Sequence, residues 1–152
     1  MPRRGSRVRI PSRAFFVPQK ANNIQKGKDL MKIHESAENY LEAILMISLR
    51  QAYVRSIDIA NELEVSKPSV SVAMKNLREN GYILMDSDGH ISLTPAGQKI
   101  ADTMYERHTL LSQWLIHLGV SEEIASQDAC KMEHVLSPET FAAIKKHVAK
   151  QK

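Results

Sequence analysis

The stretch Ile57-Asp58-Ile59-Ala60-Asn61-Glu62-Leu63-Glu64-Val65-Ser66-Lys67-Pro68-Ser69-Val70-Ser71 decides how this chain reads. Ser56 is placed to cap a short helix over residues 57–63, and Glu64-Val65 makes a turn. Ser66 then caps a second helix, with Pro68 in its first turn, where a missing N–H is cheap. Ala60 is small where two helices must approach closely, and Val65 and Val70 plug the gap between them. The second helix continues through Val70, Ala73, Met74 and Leu77 to Gly81, a good C-terminal stop. This is helix-turn-helix character.

Working outward, the period changes immediately after Gly81. Tyr82-Ile83-Leu84-Met85 and His90-Ile91-Ser92-Leu93 flank Asp86-Ser87-Asp88-Gly89, a β-hairpin with an Asp-Gly pair at its tip. Upstream, Ser36 is expected to cap a helix running to Leu49, with Tyr40, Leu41, Ile44, Leu45 and Ile47 as its apolar stripe. Downstream, Thr94-Pro95 opens a long helix to about Leu118, closed by Gly119. A helix from Ser121 to about Leu136 follows, and Ser137-Pro138 starts a last one. The expected fold is mainly α: a winged helix-turn-helix over residues 31–94, then a helical module over 95–152. Trp114 with Leu110, Leu111, Leu115 and Leu118 reads as core or dimer seam.

The chain has 152 residues and a formal charge of +4, but the charge is unevenly spread. Residues 1–30 carry +7, which leaves residues 31–152 at −3. Nucleic-acid binding must therefore rest on a local patch rather than on overall basicity. Residues 1–30 show no sustained period and are expected to be a disordered extension. A phosphate-tracking arm and a transit peptide are two readings of it. A third is a mis-assigned start, because Arg7-Val8-Arg9-Ile10-Pro11 is what the T-arm of a transfer RNA gene would encode; translation would then begin at Met31. No apolar run is long enough for a membrane helix, and the single cysteine, Cys130, fits a reducing, cytoplasmic setting.

The second helix of the motif exposes Ser66, Lys67, Ser69 and Ser71 at its start, short donors and one cation suited to phosphates and base edges in a major groove. Lys75 and Arg78 extend this basic face, and Arg55 is placed to meet backbone. Combined with the wing, the motif implies binding to double-stranded DNA.

The run Asp128-Ala129-Cys130-Lys131-Met132-Glu133-His134 carries a second chemistry. On a helix Cys130, Glu133 and His134 share one side, so thiolate, carboxylate and imidazole suit a divalent transition metal. Taken alone, the triplet reads more readily as a core cysteine beside solvated charges. His108 on the long helix is placed to lean over the same point, and Glu42, with Asn39 nearby, to approach from the first helix. A site drawing on three helices would link metal uptake to their arrangement.

The order Glu38-Asn39-Tyr40-Leu41-Glu42, Ser66-Lys67-Pro68-Ser69-Val70, Leu93-Thr94-Pro95-Ala96-Gly97, Arg107-His108 and Ala129–Ser137 resembles the DtxR/MntR family of iron- or manganese-dependent repressors. The resemblance implies a homodimer, Mn²⁺ or Fe²⁺ as corepressor, and binding to operator DNA. It places Asn39, Glu42, His108, Cys130, Glu133 and His134 on ligand positions, and Ser66, Pro68 and Ser69 on DNA-contacting positions. Asn39 stands where the manganese branch has aspartate, and Cys130 where it usually has glutamate. Ser112 and Ser126 replace the ancillary ligands of the iron branch, so a second site of that kind is not expected, nor is an SH3-like third domain.

Three functions compete. A metal-gated repressor leads. A winged-helix regulator gated by an organic ligand or by Cys130 oxidation is the alternative. A metal hydrolase is disfavoured, because the chain has no H-E-x-x-H and no Gly-rich phosphate loop. The chain is therefore expected not to be an enzyme and to take no organic substrate.

Overall fold

Each change of period in the sequence becomes a change of element in the computed structural model, which describes residues 21–151, with side chains from residue 35 onward. In chain order these are α1 (Ala21–Ser48), α2 (Ser56–Leu63), α3 (Lys67–Glu79), β1 (Ile83–Met85), β2 (Ile91–Leu93), α4 (Pro95–His117), α5 (Glu122–Val135) and α6 (Pro138–Ala149).

Two boundaries differ from expectation. Helix α1 runs from Ala21, so Ser36 lies inside the helix and is not its cap. The physical reason is cooperativity: once the packed half of α1 exists, adding proline-free residues at its end needs no new nucleus. Residues 1–20, including Arg7–Pro11 on which the mis-assigned start rests, lie outside the described residues. The cap of α2 is Arg55 instead of Ser56, because Asp58 accepts the Arg55 backbone N–H at 2.8 Å and draws the helix start back by one residue.

Helix α1 is the spine of the core. Its stripe of Tyr40, Leu41, Ile44, Leu45 and Ile47 is buried against Ile59 and Ala60 of α2, Val70, Met74 and Leu77 of α3, and Ile83 and Ile91 of the hairpin. Between α2 and α3, Glu64 takes a left-handed conformation (φ 52°), the sharp bend that lets the two helices cross. The hairpin is antiparallel, pairing Ile83 with Leu93 and Met85 with Ile91, and Gly89 at its tip has φ 78°. Val54 bridges Ile91, adding a third short extended segment.

The wing is latched to α4. Thr94 donates its backbone N–H to the Tyr82 carbonyl at 3.0 Å and its hydroxyl to the Gly81 carbonyl at 2.7 Å, while accepting the Gly97 N–H at 3.2 Å. Beyond the latch, α4 runs between α1 on one side and α5 on the other. Leu111 from the Trp114 stripe enters the core, whereas Leu118 is exposed. Arg107 of α4 donates to the carbonyls of Glu133 and Leu136 at 2.8 and 3.0 Å and lies over the Phe141 ring of α6. These contacts satisfy the otherwise unpaired end of α5 and hold its last turn against α4.

Gly97 offers a sharp test of the latch. A Cβ there would sit 2.1 Å from the Tyr82 carbonyl oxygen, a backbone atom that cannot rotate away. Gly97→Ala is expected to destabilise the fold by about 1–3 kcal/mol. Thermal melts should show a lower midpoint than wild type, and the exposed control Lys99→Ala should not.

Candidate metal centre and nucleic-acid interface

Three helices deliver the candidate metal centre. Glu42 comes from α1, His108 from α4 and Glu133 from α5, and one ligand atom of each lies within 4.8 Å of the others. Glu133 is fully buried and Glu42 nearly so. His108 Nδ1 lies 3.0 Å from Glu133 Oε2. The remaining Glu133 oxygen, Oε1, and Glu42 Oε1 are both buried without a hydrogen-bond partner. His134 Nε2 approaches Glu133 Oε1 to 3.2 Å but is poorly aligned to bond it. Unsatisfied buried carboxylate oxygens are costly and rare, and two of them side by side are what a divalent cation satisfies. The residues present therefore fit a metal ion.

The electrostatics agree. Burial, and then the charge of Glu133, push the Glu42 carboxyl up to about 7. Burial acts the same way on Glu133, but His108 and His134 outweigh it and hold that carboxyl below its ordinary range. The hydrogen bond to Glu133 raises His108. His134 is raised to about 9: burial opposes this, and Glu133 and Glu38 overcome it. Without a cation, the cluster thus keeps protons to balance its two carboxyls.

The other expected ligands lie at the margin. Asn39 Oδ1 is 2.8 Å from His134 Nε2, which brings it to the edge of the site. Cys130 is exposed and outside the compact trio. Desolvation and the carboxylates of Glu133, Glu42 and Glu35 hold its thiol above its usual value. Glu38, which sequence reasoning did not single out, accepts from His134 Nδ1 at 2.9 Å.

All of Ser66, Lys67, Pro68, Ser69, Ser71 and Lys75 are exposed at or along α3, opposite its buried face of Val70, Met74 and Leu77. The Ser66 hydroxyl caps the helix by accepting the Ser69 N–H at 3.3 Å, so its free capacity is reduced. Lys67, Ser71 and Lys75 recur every four residues and form one polar ridge. No acid stands in the first turn of α3, which leaves that helix end positive. Arg55 is tied to the wing, its guanidinium donating to His90 Nε2 at 3.2 Å, while the His90 ring stacks on Tyr53 at 4.4 Å. The exposed trio Asp86, Asp88 and His90 also clusters, but Asp86 Oδ1 is occupied by the backbone N–H groups of Asp88 and His90, as in an ordinary tight turn.

Two family models match the chain: the iron dependent repressor N-terminal DNA binding domain over residues 32–91, and the iron dependent repressor metal binding and dimerisation domain over 94–152. The transcriptional regulator MntR of Salmonella typhimurium is 39% identical over 109 residues, covering 72% of this chain and 69% of that one. Among solved structures, the manganese regulator SloR aligns with a TM-score of 0.67 at 29% identity, over 74% of this chain and 53% of that one. A manganese-dependent transcriptional repressor in complex with manganese aligns at 0.69 and 28% identity, over 74% and 52%. The chain thus spans about half the length of these solved regulators.

The raised carboxyl of Glu42 has a stability consequence with a definite sign. Its contribution is complete below the ordinary value of 4.5 and is lost as pH climbs through about 7. Glu42→Gln keeps the shape but removes the ionisation. In a chelator, the melting midpoint of Glu42→Gln relative to wild type should therefore rise across that interval, and a flat difference would contradict the assignment.

Proposed function

The chain belongs to the DtxR/MntR family of iron- or manganese-dependent repressors, and on that premise we propose that Glu42, His108, Glu133 and His134 are its metal-sensing ligands, with Asn39 and Cys130 at the rim. It is a metal-dependent DNA-binding transcriptional repressor and not an enzyme, acting as a homodimer on double-stranded operator DNA with Mn²⁺ or Fe²⁺ as corepressor. The observation that carries the ligand assignment is the pair of buried, unpaired carboxylate oxygens of Glu42 and Glu133 where three helices meet.

A bound divalent cation supplies the positive charge that lets Glu42 and Glu133 ionise together. Everything else is done by the chain. Glu42 sits on the helix that forms the spine of residues 31–94, the proposed DNA-reading part. His108, Glu133 and His134 sit in residues 95–152, the proposed sensing and dimerising part. Their side chains converge only when α1, α4 and α5 pack together, so ligation is linked to one relative placement of the two parts. Ser66, Lys67, Pro68, Ser69, Ser71 and Lys75 then present α3 to a major groove, and Arg55 meets the backbone beside the wing.

The compact donors are carboxylates and an imidazole, with no sulfur among them, which favours Mn²⁺ over softer ions. Gating by Cys130 oxidation finds less support, because a reactive thiol needs a depressed pKa and Cys130 has a raised one. For the dimer, Tyr105, Leu110, Trp114 and Val148 line an apolar groove of about 440 Å³ between α4 and α6, and Ile116 and Leu118 nearby in sequence are exposed. Among the described residues no helix is long and apolar enough to cross a membrane. A cytoplasmic location completes the reading.

DNA selected from a random pool by the Mn²⁺-loaded protein provides the test, with affinity read by fluorescence anisotropy. Wild type should bind tightly with Mn²⁺ and lose affinity in chelator. Glu133→Ala and His134→Ala should lose the metal response, and chelator-insensitive wild-type binding would contradict the reading. Separately, Lys67→Ala should weaken binding to all sequences and reduce the salt slope by about one.

A further inference from the structure

His134 is held at both ring nitrogens. Its side chain is 3% exposed, with Nδ1 lying 2.9 Å from Glu38 Oε2 and Nε2 lying 2.8 Å from Asn39 Oδ1 and 3.2 Å from Glu133 Oε1. The two nitrogens therefore face different surroundings. Nε2 points at the carboxyl cluster, whereas Nδ1 points to the Glu38 carboxylate inside α1, itself 28% exposed. Carboxylate and amide oxygens only accept, so without a metal both nitrogens carry protons, Nδ1–H on Glu38 and Nε2–H on Asn39, and a metal ligated at Nε2 would displace only the second.

We propose that Glu38 is a positioning residue for the metal centre: by accepting the Nδ1–H of His134 it fixes the ring and leaves Nε2 as the ligating nitrogen. This rests on the ligand assignment made above for His134. Carboxylates that hold the distal N–H of a ligating histidine set its tautomer and orientation and strengthen it as a donor. The arrangement also bears on the local sequence. Asn39 offers an oxygen but no charge, and Glu38, one residue earlier on the same helix, supplies a negative group to the α1 side of the site. Because Glu38 and Glu42 are four apart, they rise from one face of α1. One turn of helix thus presents a ligand and the anchor of another ligand.

An ordinary ion pair between Glu38 and His134 would contribute to stability without steering metal, and the two roles separate experimentally. In the full chain, calorimetric titration with Mn²⁺ should show Glu38→Ala weakened roughly 10–100-fold relative to wild type. Glu38→Gln, which keeps an acceptor oxygen without the charge, should fall between them and covers the case in which the alanine variant folds poorly. Histidine ¹⁵N spectra of the Cd²⁺-loaded protein, a diamagnetic stand-in, should show His134 protonated at Nδ1 and ligated through Nε2, with the protected Nδ1–H lost in Glu38→Ala. Equal Mn²⁺ affinity in wild type and both variants would overturn the role of Glu38 while leaving the ligand assignment standing. Ligation through Nδ1 would do the same. Failure of the wild type itself to take up Mn²⁺ would overturn both.

Discussion

A carboxylate with no access to water, Glu133, stands at the point where α1, α4 and α5 meet, and a second buried carboxyl, Glu42, faces it. Two unit charges about 4 Å apart repel by about 4 kcal/mol even at an effective dielectric of about 20. The fold meets this in part by surrounding Glu133 with His108 and His134 and by raising the Glu42 carboxyl to about 7, so that it keeps a share of its protons at neutral pH. Two carboxylate oxygens remain unpaired all the same. A stable core would ordinarily replace such a cluster with apolar side chains. Its retention makes sense when the missing partner arrives from solution.

That partner acts on more than its ligands because of how α1 is used. The same helix buries Leu41, Ile44 and Ile47 against the helix-turn-helix and the hairpin, and carries Glu38, Asn39 and Glu42 on the side facing α5. The far wall of the site is held independently. Arg107 bonds the Glu133 and Leu136 carbonyls and so anchors the last turn of α5 to α4. Ligation by the proposed residues would therefore connect two parts that are each held by their own contacts, which is the requirement for a switch with two discrete states. On the DNA side, the Thr94–Gly97 latch passes the position of α4 directly to the wing.

Much of this was legible along the chain because it is local. Caps at Ser66, Thr94 and Ser137, glycine stops at 81 and 119, and the Asp-Gly tip each depend on a few neighbouring residues. Glu133 and His134 were found because they follow Cys130 by three and four residues on one helix. Cys130, on the same helix, is exposed and lies outside the compact group of Glu42, His108 and Glu133. What escaped entirely is long-range. Glu38 meets His134 across 96 positions and Arg55 meets His90 across 35, and no periodic pattern announces such pairs. The early start of α1 was missed because helix propagation follows from tertiary packing further along rather than from a cap.

Locating the ion decides whether this account holds. In crystals grown anaerobically with Mn²⁺, an anomalous difference map should place manganese within bonding distance of Glu42, His108 and Glu133. Manganese confined to other residues, with the Glu42 and Glu133 carboxyls bridged only by protons, would contradict it.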